Sequence, residues 1–232
     1  MIRRLVLSFT VATATLASSA AFSEPARIII LRHGEKQNGY QLCEVGTQRA
    51  QALAGRYLGK GAEASLFAEG GAPDAFFAIT PHTLELVSPA AITWGKPVIM
   101  YSSLPQKGES GADRLRLLNQ RTRQAVADVM ANWSGKTVVM TWEHDHIADE
   151  KLETSFPNEK VTLRQLLNLD TIANVPKTWP GSNYDYFWIV DYAGSDRPTR
   201  FQMSKQSFTA PFQKVPSNDW GTPHKLPKSC KN

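Results

Sequence analysis

The chain is poor in the residues that staple small proteins or extend fibrous ones. It has 2 cysteines among 232 residues, too few for a disulfide framework. No internal stretch reaches the ~20 uncharged residues that a membrane helix needs. There is no repeat, no low-complexity segment and no run that interleaves aromatic with basic residues, so no nucleic-acid partner is expected. Charged residues make up only 20% against 42% hydrophobic ones, which excludes a disordered chain. Arginine is missing from the whole interval between Arg56 and Arg114. One soluble globular domain with a sizeable core is what this length and composition support.

The N-terminus carries a different message. Arg3 and Arg4 precede an apolar run from Leu5 to Ala17, and a small-residue stretch then leads to Glu24 and Pro25. This is the layout of a secretory signal peptide, and Ala21-x-Ser23 places the cut after Ser23. Residues 1–23 are thus expected to be a signal, and 24–232 the mature domain, periplasmic or secreted, with no membrane span once the signal is gone. Loss of Arg3 and Arg4 reduces the formal charge from +5 to +3, and much of the excess lies late, in Lys214, Lys225, Lys228 and Lys231. In an oxidising compartment Cys43 and Cys230 either pair, tying down the tail, or stay as two buried thiols; spacing leaves both open.

Beyond the signal, β-like runs alternate with helical patterns. Arg27 to Leu31 is a continuous β-branched run, read as a strand buried on both faces. A helical pattern from Gly46 to Leu58 follows, stopped by Gly59. Asp74 to Thr80, Pro97 to Tyr101, Lys136 to Trp142 and Tyr186 to Val190 read as further strands. Helices are expected over Leu84–Trp94 (interrupted by Pro89), about Asp113–Trp133 and Arg164–Asn168. Strands alternating with helical segments argue for a layered fold of the α/β class with a mostly parallel sheet. From about Thr209, four prolines space out an extended surface tail.

Ligands of such sheets bind beyond the carboxyl ends of the strands. The first strand runs into Arg32-His33-Gly34-Glu35-Lys36, the fourth into Trp142-Glu143-His144-Asp145-His146, and His82 follows the second. Imidazole is a nucleophile at neutral pH, a guanidinium beside it grips phosphoryl oxygens, and glycine allows close backbone approach. A second histidine balances charge on a transferring phosphoryl group.

This constellation resembles the histidine phosphatase (phosphoglycerate mutase-like) superfamily. The resemblance rests on Ile28-Ile29-Ile30-Leu31-Arg32-His33-Gly34-Glu35, on Gly46-Thr47-Gln48-Arg49-Ala50 opening the next helix, on Val138-Val139-Met140-Thr141-Trp142-Glu143-His144, and on Asn183-Tyr184-Asp185-Tyr186-Phe187-Trp188. It covers about 26–192 and implies a three-layer αβα sandwich with its core there, His33 as the phosphorylated nucleophile, Arg32 as phosphate clamp and His144 as the second pocket histidine. Asp145, directly after that histidine, is the implied general acid, ahead of Glu109 and then Glu143. Gly34, Lys36 and His82 complete the expected substrate contacts. A small phosphorylated substrate is implied, and neither metal nor cofactor.

One departure stands out. The family's second arginine, in a Ser-Pro-x-x-Arg pattern after the second strand, is replaced by Thr80-Pro81-His82-Thr83-Leu84-Glu85. His82, Lys36 or Arg114 would have to compensate. Otherwise the fold serves as a phosphate-ligand or protein-binding module without turnover. A zinc hydrolase built on His144, Asp145 and His146 is a weaker reading, because Arg32 beside the site repels a cation.

Overall fold

The computed structural model describes residues 24–68, 70–104, 106–195, 197–223 and 225–231. The expected signal, 1–23, lies outside the described residues. Six strands form one sheet: β1 (Arg27–Arg32), β2 (Ala75–Ala78), β3 (Val98–Met100), β4 (Thr137–Trp142), β5 (Tyr186–Asp191) and β6 (Arg200–Lys205). Their order is β3-β2-β4-β1-β5-β6. The four strands at the β3 end are mutually parallel, while β5 and β6 are antiparallel additions.

The all-apolar run of β1 has the two-faced burial expected of a central strand. Ile28 and Ile30 face one core with Phe77, Val138, Met140, Trp142, Trp188 and Val190. Ile29 and Leu31 face the other with Phe76, Val139, Phe187 and Ile189. Helices α1 (Glu44–Leu53) and α2 (Pro81–Trp94) cover the second face through Ala50, Leu53, Leu86, Val87, Ala90 and Ala91. Helix α3 (Gly111–Asn132) covers the first through Leu118, Ala125, Val126 and Val129. The short helices α4 (His144–Ile147) and α6 (Leu163–Leu166) join it there through Ile147 and Leu163. Between them lies one more short helix, α5 (Glu150–Ser155). The architecture is a three-layer αβα sandwich.

Three local expectations change. The helix read from Leu84 starts at Pro81, where proline's missing N–H costs nothing and Thr83 Oγ1 accepts from the Thr80 N–H at 2.9 Å. It runs through Pro89, held by the buried Leu86, Val87, Ala90 and Ala91 on both sides of the proline. The helix read as 46–58 begins at Glu44 and finishes as a π-helical turn over Ala54–Leu58. Strand β6 gave no apolar run to read, since it is an edge strand with only Phe201 and Met203 turned to the core.

The C-terminal tail is tied to the body. Trp220 packs on Trp179 and Tyr186, with ring centroids 5.2 and 5.0 Å apart. Cys230 forms a disulfide with Cys43, its Cα 5.4 Å away, and the Lys231 N–H donates to the Lys36 carbonyl at 2.6 Å. Among the described residues no helix is long and apolar enough to cross a membrane.

Candidate active site

Strands β2, β4 and β1 are neighbours and parallel, so their carboxyl ends open on one edge of the sheet. The chain leaving β1 turns to the α1 face, and the chain leaving β4 turns to the face of α4. A crevice forms where adjacent connections part in this way. Into it project Arg32 and His33 after β1, Glu143 and His144 after β4, and Thr80 and His82 after β2.

His33 is fully buried. Its Nδ1 lies 2.8 Å from the Gly34 carbonyl, which only accepts, so Nδ1 carries the proton and Nε2 presents a lone pair. Arg32 Nη2 donates to that Nε2 at 2.9 Å. Burial, with Arg32 next to it, lowers the His33 pKa well below the usual histidine value, so the ring stays neutral. An unprotonated, oriented imidazole nitrogen is what nucleophilic attack requires.

Arg32 is buried and stacked on Tyr184, with its guanidinium carbon 3.9 Å from the ring centroid. Its Nη1 donates to the carbonyls of Gly181 (2.9 Å) and Pro180 (3.3 Å). The fork expected to clamp phosphate is therefore half engaged by backbone, leaving Nη2 as the arm at the nucleophile.

His144 Nε2 donates to Asp145 Oδ1 at 2.9 Å, which turns the Nδ1 lone pair toward His33 Nε2, 3.4 Å away. Burial lowers the His144 pKa, with Arg32 adding to it. Burial alone would raise the Asp145 carboxyl, but the His144 hydrogen bond and nearby charges outweigh it and hold it low. Asp145 thus stands behind His144. His146 is turned away into the core, where Nε2 meets Asn119 Oδ1 at 2.9 Å.

Two residues of the crevice carry more than their sequence signal suggested. Glu143 Oε1 lies 2.6 Å from His82 Nε2 and accepts from Thr80 Oγ1 at 2.9 Å. Its Oε2 lies 3.6 Å from His33 Nε2 and 3.8 Å from Lys36 Nζ. Burial would raise this carboxyl, but the hydrogen bond with His82 and the charge of Lys36 hold it well below the usual carboxylate range. His82 stands where an arginine was expected and faces the Gly39 carbonyl with its other nitrogen at 3.2 Å. Glu109 stays on its loop, accepting from the Gln106 N–H at 3.2 Å.

Gly34 serves packing as well as the site, since a Cβ there would meet Leu86 Cδ1 at 3.0 Å and Leu42 Cδ2 at 3.3 Å. Behind it the buried Glu35 and Arg49 pair at 2.6 and 3.0 Å, fixing the loop to α1. That pair was missed because nothing in the sequence says that Arg49 points back at the loop. Donor atoms of His33, Glu143 and His144 all lie within 4.8 Å of one another, close enough to hold a metal ion. Against that, Arg32 and Lys36 set two cations against a third.

In fold, the chain is similar to solved phosphatases. One is a mycobacterial glucosyl-3-phosphoglycerate phosphatase, Rv2419c, 14% identical, covering 79% of this chain and 99% of that one with a TM-score of 0.40. Another is an Agrobacterium tumefaciens protein assigned as the phosphohistidine phosphatase SixA, 17% identical, covering 81% and 99% with a TM-score of 0.42. A third is an Escherichia coli protein assigned as an alpha-ribazole-5'-P phosphatase, 11% identical, covering 79% and 97% with a TM-score of 0.45. No family model and no curated protein matches the chain.

Proposed function

We propose that the chain is an exported phosphohydrolase that cleaves a small phosphomonoester through a phosphohistidine, without metal. The observation that carries this reading is His33: Nδ1–H fixed on the Gly34 carbonyl, Nε2 unprotonated, and Arg32 Nη2 at 2.9 Å. His33 Nε2 forms a bond to phosphorus as the bond to the leaving oxygen breaks. Asp145, when it holds a proton, gives it to that oxygen, and since the hydrogen bond from His144 keeps this carboxyl low, the step is favoured at acidic pH. Water then cleaves the phosphohistidine. Arg32 Nη2 stabilises the charge on the transferring group, and His144 joins it when its Nδ1 takes up a proton. The Cys43–Cys230 disulfide fits an oxidising compartment and supports export, as does the N-terminal signal pattern.

The direct test is turnover of a generic phosphomonoester in chelator, with the wild type active and His33→Ala inactive. Unchanged turnover in His33→Ala removes the nucleophile assignment, and loss of wild-type activity in chelator, restored by zinc, turns the reading to a metal hydrolase. A second reading is favoured by the half-engaged Arg32 fork and the missing second arginine: the same crevice binds a phosphate ligand without turnover. It predicts phosphate binding that Arg32→Ala weakens, and no product from any phosphomonoester.

A further inference from the structure

His33 Nε2 has three polar neighbours: Arg32 Nη2 at 2.9 Å, His144 Nδ1 at 3.4 Å and Glu143 Oε2 at 3.6 Å. A phosphorus atom poised for attack belongs ~3–3.5 Å from that nitrogen, so one neighbour has to yield its place. Arg32 is held by two carbonyls and a tyrosine face, and His144 by Asp145. Glu143 is the neighbour whose own partners are those an oxyanion selects: His82 Nε2, Thr80 Oγ1 and Lys36 Nζ. Its side chain also reaches the surface, at 12% exposure against none for His33.

We propose that the Glu143 carboxylate is an internal competitor for phosphoryl oxyanions, standing where the phosphoryl group docks and leaving by exchange with it. The proposal rests on the phosphohydrolase reading for the identity of the ligand, not for the competition. A dianion entering beside an ionised carboxylate at this separation is repelled, and one leaving is replaced without opening the site to water. The carboxylate therefore weakens the hold on free phosphate, the product, and quickens its release. His82, in the place of the expected arginine, serves the internal anion first and the phosphoryl group second.

The test is the affinity of inorganic phosphate, measured by calorimetry at neutral pH on the full mature chain, for wild type, Glu143→Gln and Glu143→Ala. Both variants are expected to bind phosphate about tenfold tighter or more, since each removes one negative charge within about 4 Å of the ligand. Thermal melts of all three check that the fold is intact. Phosphate affinity unchanged or weaker in both folded variants overturns the proposal. Wild-type turnover with unchanged variant affinity overturns the competition alone and leaves the phosphohydrolase reading standing. Tighter phosphate binding by the variants with no turnover by wild type supports the competition and overturns catalysis. Absence of phosphate binding in all three overturns the competition, and wild-type turnover then decides the phosphohydrolase reading by itself.

Discussion

At the scale of single residues, two of the polar groups in and near the crevice set testable outcomes. Arg32 serves four partners at once, the Pro180 and Gly181 carbonyls, His33 Nε2 and the Tyr184 face. Lysine has neither the fork nor the flat face to do this, so Arg32→Lys is expected to lower kcat/KM by about a hundredfold or more. Retained kcat/KM would show that charge alone suffices. His146 carries a different prediction. Burial lowers its pKa to about 4 from 6.5, so below pH 6.5 the unfolded chain takes up a proton that the folded chain refuses. Stability is therefore lost as pH falls from 6.5 toward 4, by up to about 3 kcal/mol from this residue. His33 and His144, also lowered by burial, add losses of the same sign. Denaturant midpoints taken between these limits should fall less steeply for His146→Gln than for wild type, and equal slopes would refute the assignment. Arg32, His33 and His144 were legible because a strand pattern runs straight into each. The weight of Glu143 was not, because its partners Thr80, His82 and Lys36 come from other strand ends.

Elements are held to the site by the pair of Glu35 and Arg49. Glu35 accepts twice from Arg49, which also donates to Gln206 Oε1 at 3.2 Å and the Pro216 carbonyl at 2.8 Å. Both side chains are essentially unexposed, at 0% and 1%. Breaking a buried pair leaves a charge without a partner, so Arg49→Met is expected to cost about 3–5 kcal/mol. The double variant Glu35→Leu with Arg49→Met should recover part of that loss, read as a denaturant midpoint between those of Arg49→Met and wild type. A double variant less stable than Arg49→Met would mean that the pair's hydrogen bonds outweigh the cost of the stranded charge. Close approach adds to the same joint, since a Cβ on Gly46 would lie 2.3 Å from the Glu35 carbonyl oxygen. The central strands were legible from unbroken β-branched runs, because burial on both faces leaves no room for a polar alternation. Strand β6 was not, since an edge strand pairing on one side only needs few apolar residues and has Arg200, Gln202 and Ser204 between them.

For the whole molecule, the question is what the tail does for a crevice assembled from the other end of the chain. Sequence spacing left Cys43 and Cys230 undecided, because pairing depends on where a proline-spaced segment runs. The structure brings Cys230 onto Cys43 across 187 residues, at the start of α1 and just beyond the loop that carries Lys36. The Lys231 N–H then bonds the Lys36 carbonyl at 2.6 Å, so the end of the chain props the loop from which Lys36 reaches Glu143. A cross-link closing so long a loop constrains the unfolded chain, worth about 5 kcal/mol in the loop-entropy account. Cys43→Ser with Cys230→Ser should therefore lower the unfolding free energy by several kcal/mol, read from denaturant melts. If the tail also positions Lys36, the same variant, assayed well below its melting temperature, should raise KM more than it lowers kcat. A purely global role predicts lost stability with both kinetic constants unchanged in the folded fraction. A variant as stable as wild type would mean that the tail's other contacts, the Trp220 packing and the hydrogen bonds at Pro216 and Lys231, hold it without the disulfide.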